Sequence, residues 1–201
     1  TAENILNRDF YAKAPNEKWT TDVTEFKWYE GPVVHKLYLS AILDLYDLSP
    51  VAWVVSRRND NKLVLDTFAK AIRSNPDAKP IFHSDRGFQY TSKIFQDKLR
   101  KQGMTQSMSR VGHCIDNGPT ENFWSIVKSE MYYLDTFTDE ASLRNAIADY
   151  MSFYSTDRIQ ERFKGKAPAE VRAEALAADS PAQYPIPVNK RIQKYKARYA
   201  A

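Results

Sequence analysis

The first hydrophobic stretch of the chain alternates between apolar and polar positions, and the next is more continuously apolar. Alternation with period two, in segments rich in Trp, Thr, Val and Phe, is typical of β-strands. A third apolar stretch follows after a short turn. The pattern therefore predicts a three-stranded meander over residues 18–31, 33–46 and 49–58.

The period changes in the next segment. Apolar residues then recur at helical spacing, at Leu63, Leu65, Phe68, Ala69 and Ile72. This spacing predicts a helix capped by Asp60 or Asn61. Beyond it we predict a strand over 78–85, a helix from a Thr91 cap to a Gly103 stop and a strand over 104–109. A polar loop from Ser109 should lead into another helix, with a last helix within 138–158 and an irregular, Pro-containing remainder.

The order β-β-β-α-β-α-β-α-α predicts an α/β fold, with a mixed five-stranded sheet flanked by helices. Strands that follow helical crossovers should lie parallel to a strand already in the sheet. This order matches the ribonuclease-H-like fold, although element order alone says little about function. We expect an N-terminal extension over residues 1–15, a core over 16–155 and a basic C-terminal extension over 156–201.

Composition places the chain among ordinary globular proteins. It has 201 residues, 43% of them hydrophobic and 27% charged, which is enough for a substantial core. No apolar run approaches the ~20 residues that span a bilayer, and no signal-peptide pattern opens the chain, so we expect no membrane partner. The single cysteine, Cys114, excludes an internal disulfide and fits a reducing cytoplasm. Because Thr1 is not an initiator methionine, a fragment of a longer protein is an open interpretation.

Positive charge is concentrated at the C-terminal end. The net charge is only +4, but residues 189–201 carry five basic residues, two tyrosines and no acid. Cationic tails can follow a DNA backbone, so Lys190, Arg191 and Lys194 are candidate phosphate contacts. A solvated basic terminus is an equally good interpretation.

Three acidic residues stand at positions that a folded sheet could bring together. Asp22 interrupts the first strand, where aspartate is depleted, Asp85 ends the fourth strand, and Glu121 lies in the first turn of a helix. Sixty-two residues separate the first pair and thirty-five the second. Each acid also has a structural interpretation: a solvent-facing strand position, a turn aspartate and an acid near a helix N-terminus.

Together the three acids would form an oxygen-rich metal site. Adjacent carboxylates repel one another unless cations neutralise them. Such a donor set suits Mg²⁺ or Mn²⁺. Two such ions about 4 Å apart would activate a water or hydroxyl and stabilise the leaving oxygen at a phosphodiester. We therefore expect two Mg²⁺ or Mn²⁺ ions bound by these acids.

The motifs around the acids resemble the integrase-core transposases of insertion sequences, in particular the IS-three family. They are WTTDVT around Asp22, HSDRGFQY around Asp85 and SR-x-G-x-C-x-DN-x-P-x-ENF around Glu121, and the Asp, Asp, thirty-five, Glu spacing is the family's signature. The later segment YSTDRIQERFKGKAPAEV is similar to another family signature at Tyr154, Arg158 and Pro168. Ser155 and Gln160 replace the usual Asn and His there, so no role is carried onto them.

The resemblance implies that Asp22, Asp85 and Glu121 are the catalytic, metal-binding residues. Lys128, two helical turns after Glu121 and on the same face, would contact DNA, as would Arg158. His83, two residues before Asp85, would support the site as a second-shell residue, or be an ordinary hydrogen-bonded core histidine. The implied partners are double-stranded DNA, at the element ends and the target, and further copies of the chain on that DNA. The implied location is the bacterial cytoplasm, at the nucleoid.

Several other residues are weaker candidates. Asp116 and Asn117 are interpreted either as helix-entry residues or as substitute metal ligands. Asn117 is also a candidate for the second shell of the site. His113 and Cys114 lack the paired motif of a zinc site, which we therefore reject. Asp44 is interpreted as structural, and the tryptophans as core residues; for Trp124, near the site, a role as a base-stacking platform stays open.

The predicted function is metal-dependent polynucleotidyl transfer: cleavage of DNA at an element end with water, followed by attack of the freed 3′-hydroxyl on another phosphodiester. One alternative is a structure-specific nuclease of the same fold. Another is a DNA-binding regulator with an idle core, which a missing acid would favour, but all three acids are present.

Overall fold

The computed structural model describes residues 2–112, 114–187 and 190–197, and a five-stranded sheet lies at its centre. The strands are β1 (Lys18–Glu30), β2 (Val33–Asp44), β3 (Pro50–Ser56), β4 (Ile81–Ser84) and β5 (Thr105–Met108). Their order across the sheet is β3-β2-β1-β4-β5. The first three strands form an antiparallel meander, while β4 and β5 run parallel to β1. The prediction of a mixed five-stranded sheet is confirmed.

The parallel register of β1 and β4 sets the two aspartates of the predicted site side by side. Thr21 pairs with Ser84, so Asp22 and Asp85 are the next residues on neighbouring strands. β4 ends at this point, whereas β1 continues to Glu30. The shorter β4 therefore leaves an opening beside Asp22. Binding sites of α/β sheets typically form at such carboxyl ends of strands.

Helices cover both faces of the sheet. They are α1 (Asn61–Ser74), α2 (Phe88–Thr91), α3 (Lys93–Lys101), α4 (Gly118–Glu130), α5 (Glu140–Thr156), α6 (Pro168–Ala177) and α7 (Lys190–Ala197). One apolar cluster joins Phe26 and Leu39 to Phe123 of α4 and Ile147 of α5. A second cluster joins the other face of the sheet to α1 and α3. No helix in the described ranges is both long and apolar enough to cross a membrane.

The helix starts differ from the sequence prediction in two places. Asp60 caps α1 by accepting a hydrogen bond from the Leu63 amide, but α3 is capped by Ser92 rather than Thr91. Thr91 instead ends the short helix α2, which the sequence pattern did not indicate. Gly103 ends α3 as predicted, with φ +72°, a conformation that costs glycine little.

The region after residue 158 is more regular than predicted. α6 begins with Pro168 at its first turn, and α7 lies in the basic tail. Phe163 and Val171 pack in a third apolar cluster with Leu6 and Ala12 from the start of the chain. The two predicted extensions therefore pack on each other, beside the turn between β2 and β3.

Candidate active site

The three predicted catalytic acids line one cavity. Asp22, Asp85 and Glu121 come from β1, the end of β4 and the first turn of α4, and they share a cavity of about 530 Å³. The other lining residues are Arg86, Ser109, Arg110, Val111, Gly112 and Asn117. The sheet register and the position of α4 across the sheet edge thus bring together three acids that are far apart in the sequence.

Asp22 is held in place by two N–H groups. Its Oδ1 accepts a 2.7 Å hydrogen bond from the Val23 amide, and its Oδ2 accepts one of 3.2 Å from Trp124 Nε1. Burial, together with the negative charges of Asp85 and Glu121, raises the pKa of Asp22 to about 6. Asp22 is therefore close enough to the other two acids to feel their charges within the cavity.

A backbone amide holds the Asp85 carboxylate in position. The Gly87 amide donates a 2.8 Å hydrogen bond to Asp85 Oδ1. A Cβ on Gly87 would lie 3.0 Å from that same oxygen, which is tighter than nine in ten real Cβ contacts. The glycine of the HSDRG motif thus lets the chain turn tightly around the carboxylate.

Two polar side chains fix the start of α4 on β1. Asn117 Nδ2 donates a 3.1 Å hydrogen bond to the Thr21 carbonyl, next to Asp22. Thr120 Oγ1 donates to Thr20 Oγ1 at 2.9 Å. These buried contacts fix the first turn of α4. They thereby also fix the position from which the side chain of the next residue, the exposed Glu121, projects. Asn117 therefore both starts the helix and lines the cavity.

The cavity acids form no ion pair with the residues that the structure describes. Within the part of the chain that the structure describes, no Lys, Arg or His forms an ion pair with Asp22, Asp85 or Glu121. The same described residues contain no group of three acidic, His or Cys side chains close enough to hold a metal ion as it stands. The acids thus share a cavity and a mutual repulsion without forming a closed ligand set.

His83 lies under the cavity wall rather than against the acids. It is fully buried, and its ring nitrogens hydrogen-bond to Ser107 Oγ at 2.9 Å and Ser109 Oγ at 3.2 Å. Burial lowers the pKa of His83 to about 4, so the ring is neutral at pH 7. Since Ser109 lines the cavity, His83 contacts the cavity wall through that serine. Its supporting role at the site stays a prediction.

Asp116 holds the segment that leads into α4. It is buried and accepts hydrogen bonds from Asn4, Arg8 and Arg110, two of which are ion pairs. These partners hold the pKa of Asp116 well below its usual range. The carboxylate is fully engaged, so it is not a spare metal ligand. His113 lies outside the described residues.

The predicted DNA-binding residues lie away from the cavity lining. Lys128 Nζ lies 5.8 Å from the centre of the Phe26 ring. Arg158 forms a two-point ion pair with Glu130, at 2.7 and 2.6 Å, which gives it a structural partner. Lys190, Arg191 and Lys194 lie on α7. Their contacts with DNA remain predictions.

Two residues at the cavity were not identified from the sequence. Arg86 is exposed, and its Nε donates a 2.7 Å hydrogen bond to the Ser109 carbonyl. Trp124, interpreted as core, is indeed 6% exposed but also reaches Asp22. Arg86 stood in the HSDRG motif, which gave a usable signal, whereas nothing local indicated the Trp124 contact.

The chain is similar to several known proteins. Two family models, each described as integrase core domain, match residues 12–114 and 121–176. The putative transposase InsK of insertion sequence element IS150 from Escherichia coli K12 is 42% identical over 173 residues. A transposase-like protein from Haemophilus influenzae is 42% identical over 175 residues, and transposase InsF of IS3A from Escherichia coli K12 is 32% identical over 178.

These alignments cover most of the chain but not all of the relatives. They take in 86%, 87% and 88% of this chain, and 60%, 79% and 60% of the respective relatives. The chain thus spans less than two thirds of the InsK and InsF proteins.

Solved structures of retroviral integrases have the same fold. The catalytic core domain of HTLV-2 integrase, in complex with magnesium and in a dimeric form, has a TM-score of 0.61 at 21% identity, over 79% of this chain and 97% of that one. A chain of the simian T-cell lymphotropic virus intasome, in complex with a PP2A regulatory subunit, has a TM-score of 0.68 at 18% identity, over 90% and 62%. The ribonuclease-H-like fold predicted from element order is confirmed.

Proposed function

Because the chain belongs to the integrase-core transposases of insertion sequences, we propose that it is the catalytic part of a DNA transposase. Water would cleave a phosphodiester at the element end and release a 3′-hydroxyl. That hydroxyl would then attack a phosphodiester of target DNA, joining one strand and releasing another. The observation that carries the proposal is the set of three acids, from three separate elements, that line one cavity with no cationic partner among the described residues.

We propose that a hard divalent cation, Mg²⁺ or Mn²⁺, completes the site, in two copies. The donors fit, because Asp22, Asp85 and Glu121 supply carboxylate oxygens and a net negative charge. Magnesium is present in the complex of the HTLV-2 integrase core. Bound Mg²⁺ would act as a Lewis acid at the scissile phosphate and its leaving oxygen. Of the three acids, we expect the exposed Glu121 to move towards the others.

The other residues of the cavity would bind and orient DNA. Arg86 presents its guanidinium at the cavity wall with Nε fixed by the Ser109 carbonyl, and it would bind a backbone phosphate near the scissile bond. Lys128, on α4, would bind DNA further from the acids, and the cations of α7 would follow the backbone. Arg158 could join them only by leaving Glu130.

The partners would be double-stranded DNA and further copies of the chain. Bringing two element ends together requires at least two catalytic cores, and the HTLV-2 integrase core is described in dimeric and trimeric forms. We place this assembly on DNA in the bacterial cytoplasm, since the three relatives compared above come from bacteria.

The test is an assay of strand cleavage and joining. Labelled oligonucleotides that carry the element's terminal repeats are incubated with the protein in Mg²⁺, Mn²⁺, Ca²⁺ or EDTA. We expect cleavage with a free 3′-hydroxyl, followed by joined products, in Mg²⁺ and Mn²⁺, and neither product in EDTA.

Two outcomes would contradict the proposal. Equal cleavage in EDTA would exclude metal-dependent chemistry. Cleavage in Mg²⁺ that never yields joined strands, even when a pre-cut end is supplied, would favour the nuclease alternative. A control protein with Asp97→Asn, which alters an exposed acid of α3 paired with Arg100, should behave as wild type.

A further inference from the structure

Trp124 donates the one side-chain hydrogen bond that the carboxylate of a cavity acid accepts within the described part of the chain. We propose that Trp124 is a positioning residue, which holds the Asp22 carboxylate in the orientation that binds a divalent cation. This inference rests on the proposed metal-dependent function and adds to it a determinant of metal affinity outside the three acids.

The geometry leaves room for a cation at Asp22. One N–H occupies each carboxylate oxygen, from Val23 at 2.7 Å and from Trp124 Nε1 at 3.2 Å. Each oxygen has two lone pairs, so each keeps one for a metal ion. The terminal torsion of aspartate is broad, and the indole N–H restricts it. Groups that hold metal ligands in this way typically change metal affinity or activity by about 10–100-fold when removed.

The indole itself is rigidly placed. Trp124 is 6% exposed, lies in the apolar cluster of α4, α5 and the sheet, and packs on Phe123 with ring centres 5.0 Å apart. It also lies three residues after Glu121, on the same side of α4. The hydrogen bond to Asp22 therefore ties the helix that carries one acid to the strand that carries another.

The chemical type of the donor matters. An indole N–H orients a carboxylate without cancelling its charge, so Asp22 keeps the negative charge that attracts a cation. The contrast is Asp116, whose charge is matched by Arg8 and Arg110. A donor with a full positive charge at the Trp124 position would compete with the metal ion for the same carboxylate.

The experiment compares two indole–carboxylate contacts in this protein. Trp124→Phe removes the N–H at Asp22. Trp19→Phe is the matched control, because Trp19 Nε1 donates at 3.3 Å to Asp44 Oδ2, and Trp19 is fully buried. A second variant carries β-(3-benzothienyl)alanine at position 124, which keeps the shape of the indole and lacks the N–H.

The readouts are calorimetric titration with Mn²⁺ in the absence of DNA, the rise of Tm with added Mg²⁺, and the Mg²⁺ concentration that gives half-maximal cleavage. Both changes at position 124 should weaken metal binding and raise the half-maximal Mg²⁺ concentration by about 10–100-fold. Trp19→Phe should lower Tm in the absence of metal and leave all three metal-dependent measurements at wild-type values.

The outcomes separate this inference from the proposed function. If both position-124 variants bind metal as wild type does while Asp22→Asn does not, the inference is wrong and the proposed function stands. If Trp19→Phe weakens metal binding as much as Trp124→Phe, the effect is general destabilisation and the inference is also wrong. A wild-type protein with no calorimetric signal and no metal-dependent cleavage would overturn both.

Discussion

Two clusters of carboxylates in the described part of the chain are built in opposite ways. Asp44 and Asp47, at the end of β2, are both bridged by Arg172 of α6, at 3.1 and 2.9 Å. Asp22, Asp85 and Glu121 receive two backbone N–H groups and one indole N–H. Burial raises the pKa of Asp22 and of Asp47, but only Asp47 has an arginine that opposes the rise.

The difference teaches how a buried acid cluster can be interpreted. The arginine-bridged pair carries its own counter-charge and holds the C-terminal region to the sheet. The described residues form no ion pair with the cavity acids. Their repulsion would therefore be relieved by a group that is not part of the chain, such as a bound cation. A carboxylate cluster without internal compensation is costly for folding, which favours a binding role.

The largest expected effect is on catalysis. Asp85→Asn keeps the shape of the side chain but removes a charge that would hold a cation. Strand cleavage in Mg²⁺ should fall by more than the ~100-fold typical of supporting residues, while Tm stays the same or rises. Gel assays of cleavage beside thermal denaturation check this, with Asp97→Asn as control. Wild-type turnover by the variant would remove the distinction between the two clusters.

The next effect is on stability and concerns the other cluster. Arg172→Met would leave Asp44 and Asp47 without their counter-charge, and breaking a buried pair costs about 3–5 kcal/mol. Urea denaturation should show this loss, whereas Arg100→Met, at an exposed pair with Asp97, should cost about 0–1 kcal/mol. Equal losses would mean that the arginine bridge is no more important than a surface pair.

A smaller effect of opposite sign is expected at Asp22. The folded state holds the Asp22 proton more tightly than the unfolded state, because the pKa rises from 3.8 to about 6. The metal-free protein should therefore lose stability as pH rises through this window. Asp22→Asn lacks this cost and should be more stable than wild type by about 1–3 kcal/mol at pH 7.5 without metal. The two proteins should converge near pH 4. A variant that is less stable at pH 7.5 would show that the repulsion is relieved within the chain.

The smallest effect tests whether the basic tail supplies the missing counter-charge. Removing residues 189–201 should leave the half-maximal Mg²⁺ concentration unchanged. It should flatten the dependence of DNA affinity on salt, by roughly 0.9 in log–log slope for each phosphate that the tail neutralises. Binding titrations at several salt concentrations measure the slope, and replacing the tail's basic residues with Gln separates charge from length. A lower metal requirement after deletion would indicate that the tail neutralises the cavity acids, and an unchanged slope would make it a solvated terminus.

The sheet and the acid set were predictable because both leave local marks in the sequence. Period-two alternation marked β1, and an aspartate in a strand, together with the motif around it, marked Asp22. The cap of α3 was misplaced because Thr91 and Ser92 are adjacent and both suit that position. α6 was missed because Pro168 was taken for irregular chain, although proline fits the first turn of a helix.

The remaining site contacts join residues far apart in the chain, and no local pattern encodes them. Trp124 and Asp22 are 102 positions apart, and Asn117 and Thr21 are 96 apart. Arg158, a residue of the second family signature that we predict to contact DNA, likewise has a partner that no local pattern indicated. Its pairing with Glu130, 28 positions earlier, depends on how the end of α4 meets the end of α5.

The contact between the start of the chain and Asp116 determines how far the protein can be shortened. Asn4 and Arg8 bind the Asp116 carboxylate, and the Leu6 amide binds Ser107 on β5. A protein trimmed to the sequence-based boundary at residue 16 would keep every strand and every cavity acid. It would nevertheless lack two of the side chains that donate hydrogen bonds to Asp116, and the residues that cover β5. We therefore expect the smallest autonomous unit to begin at or before residue 4, because side-chain contacts and not motif limits define the border of the core.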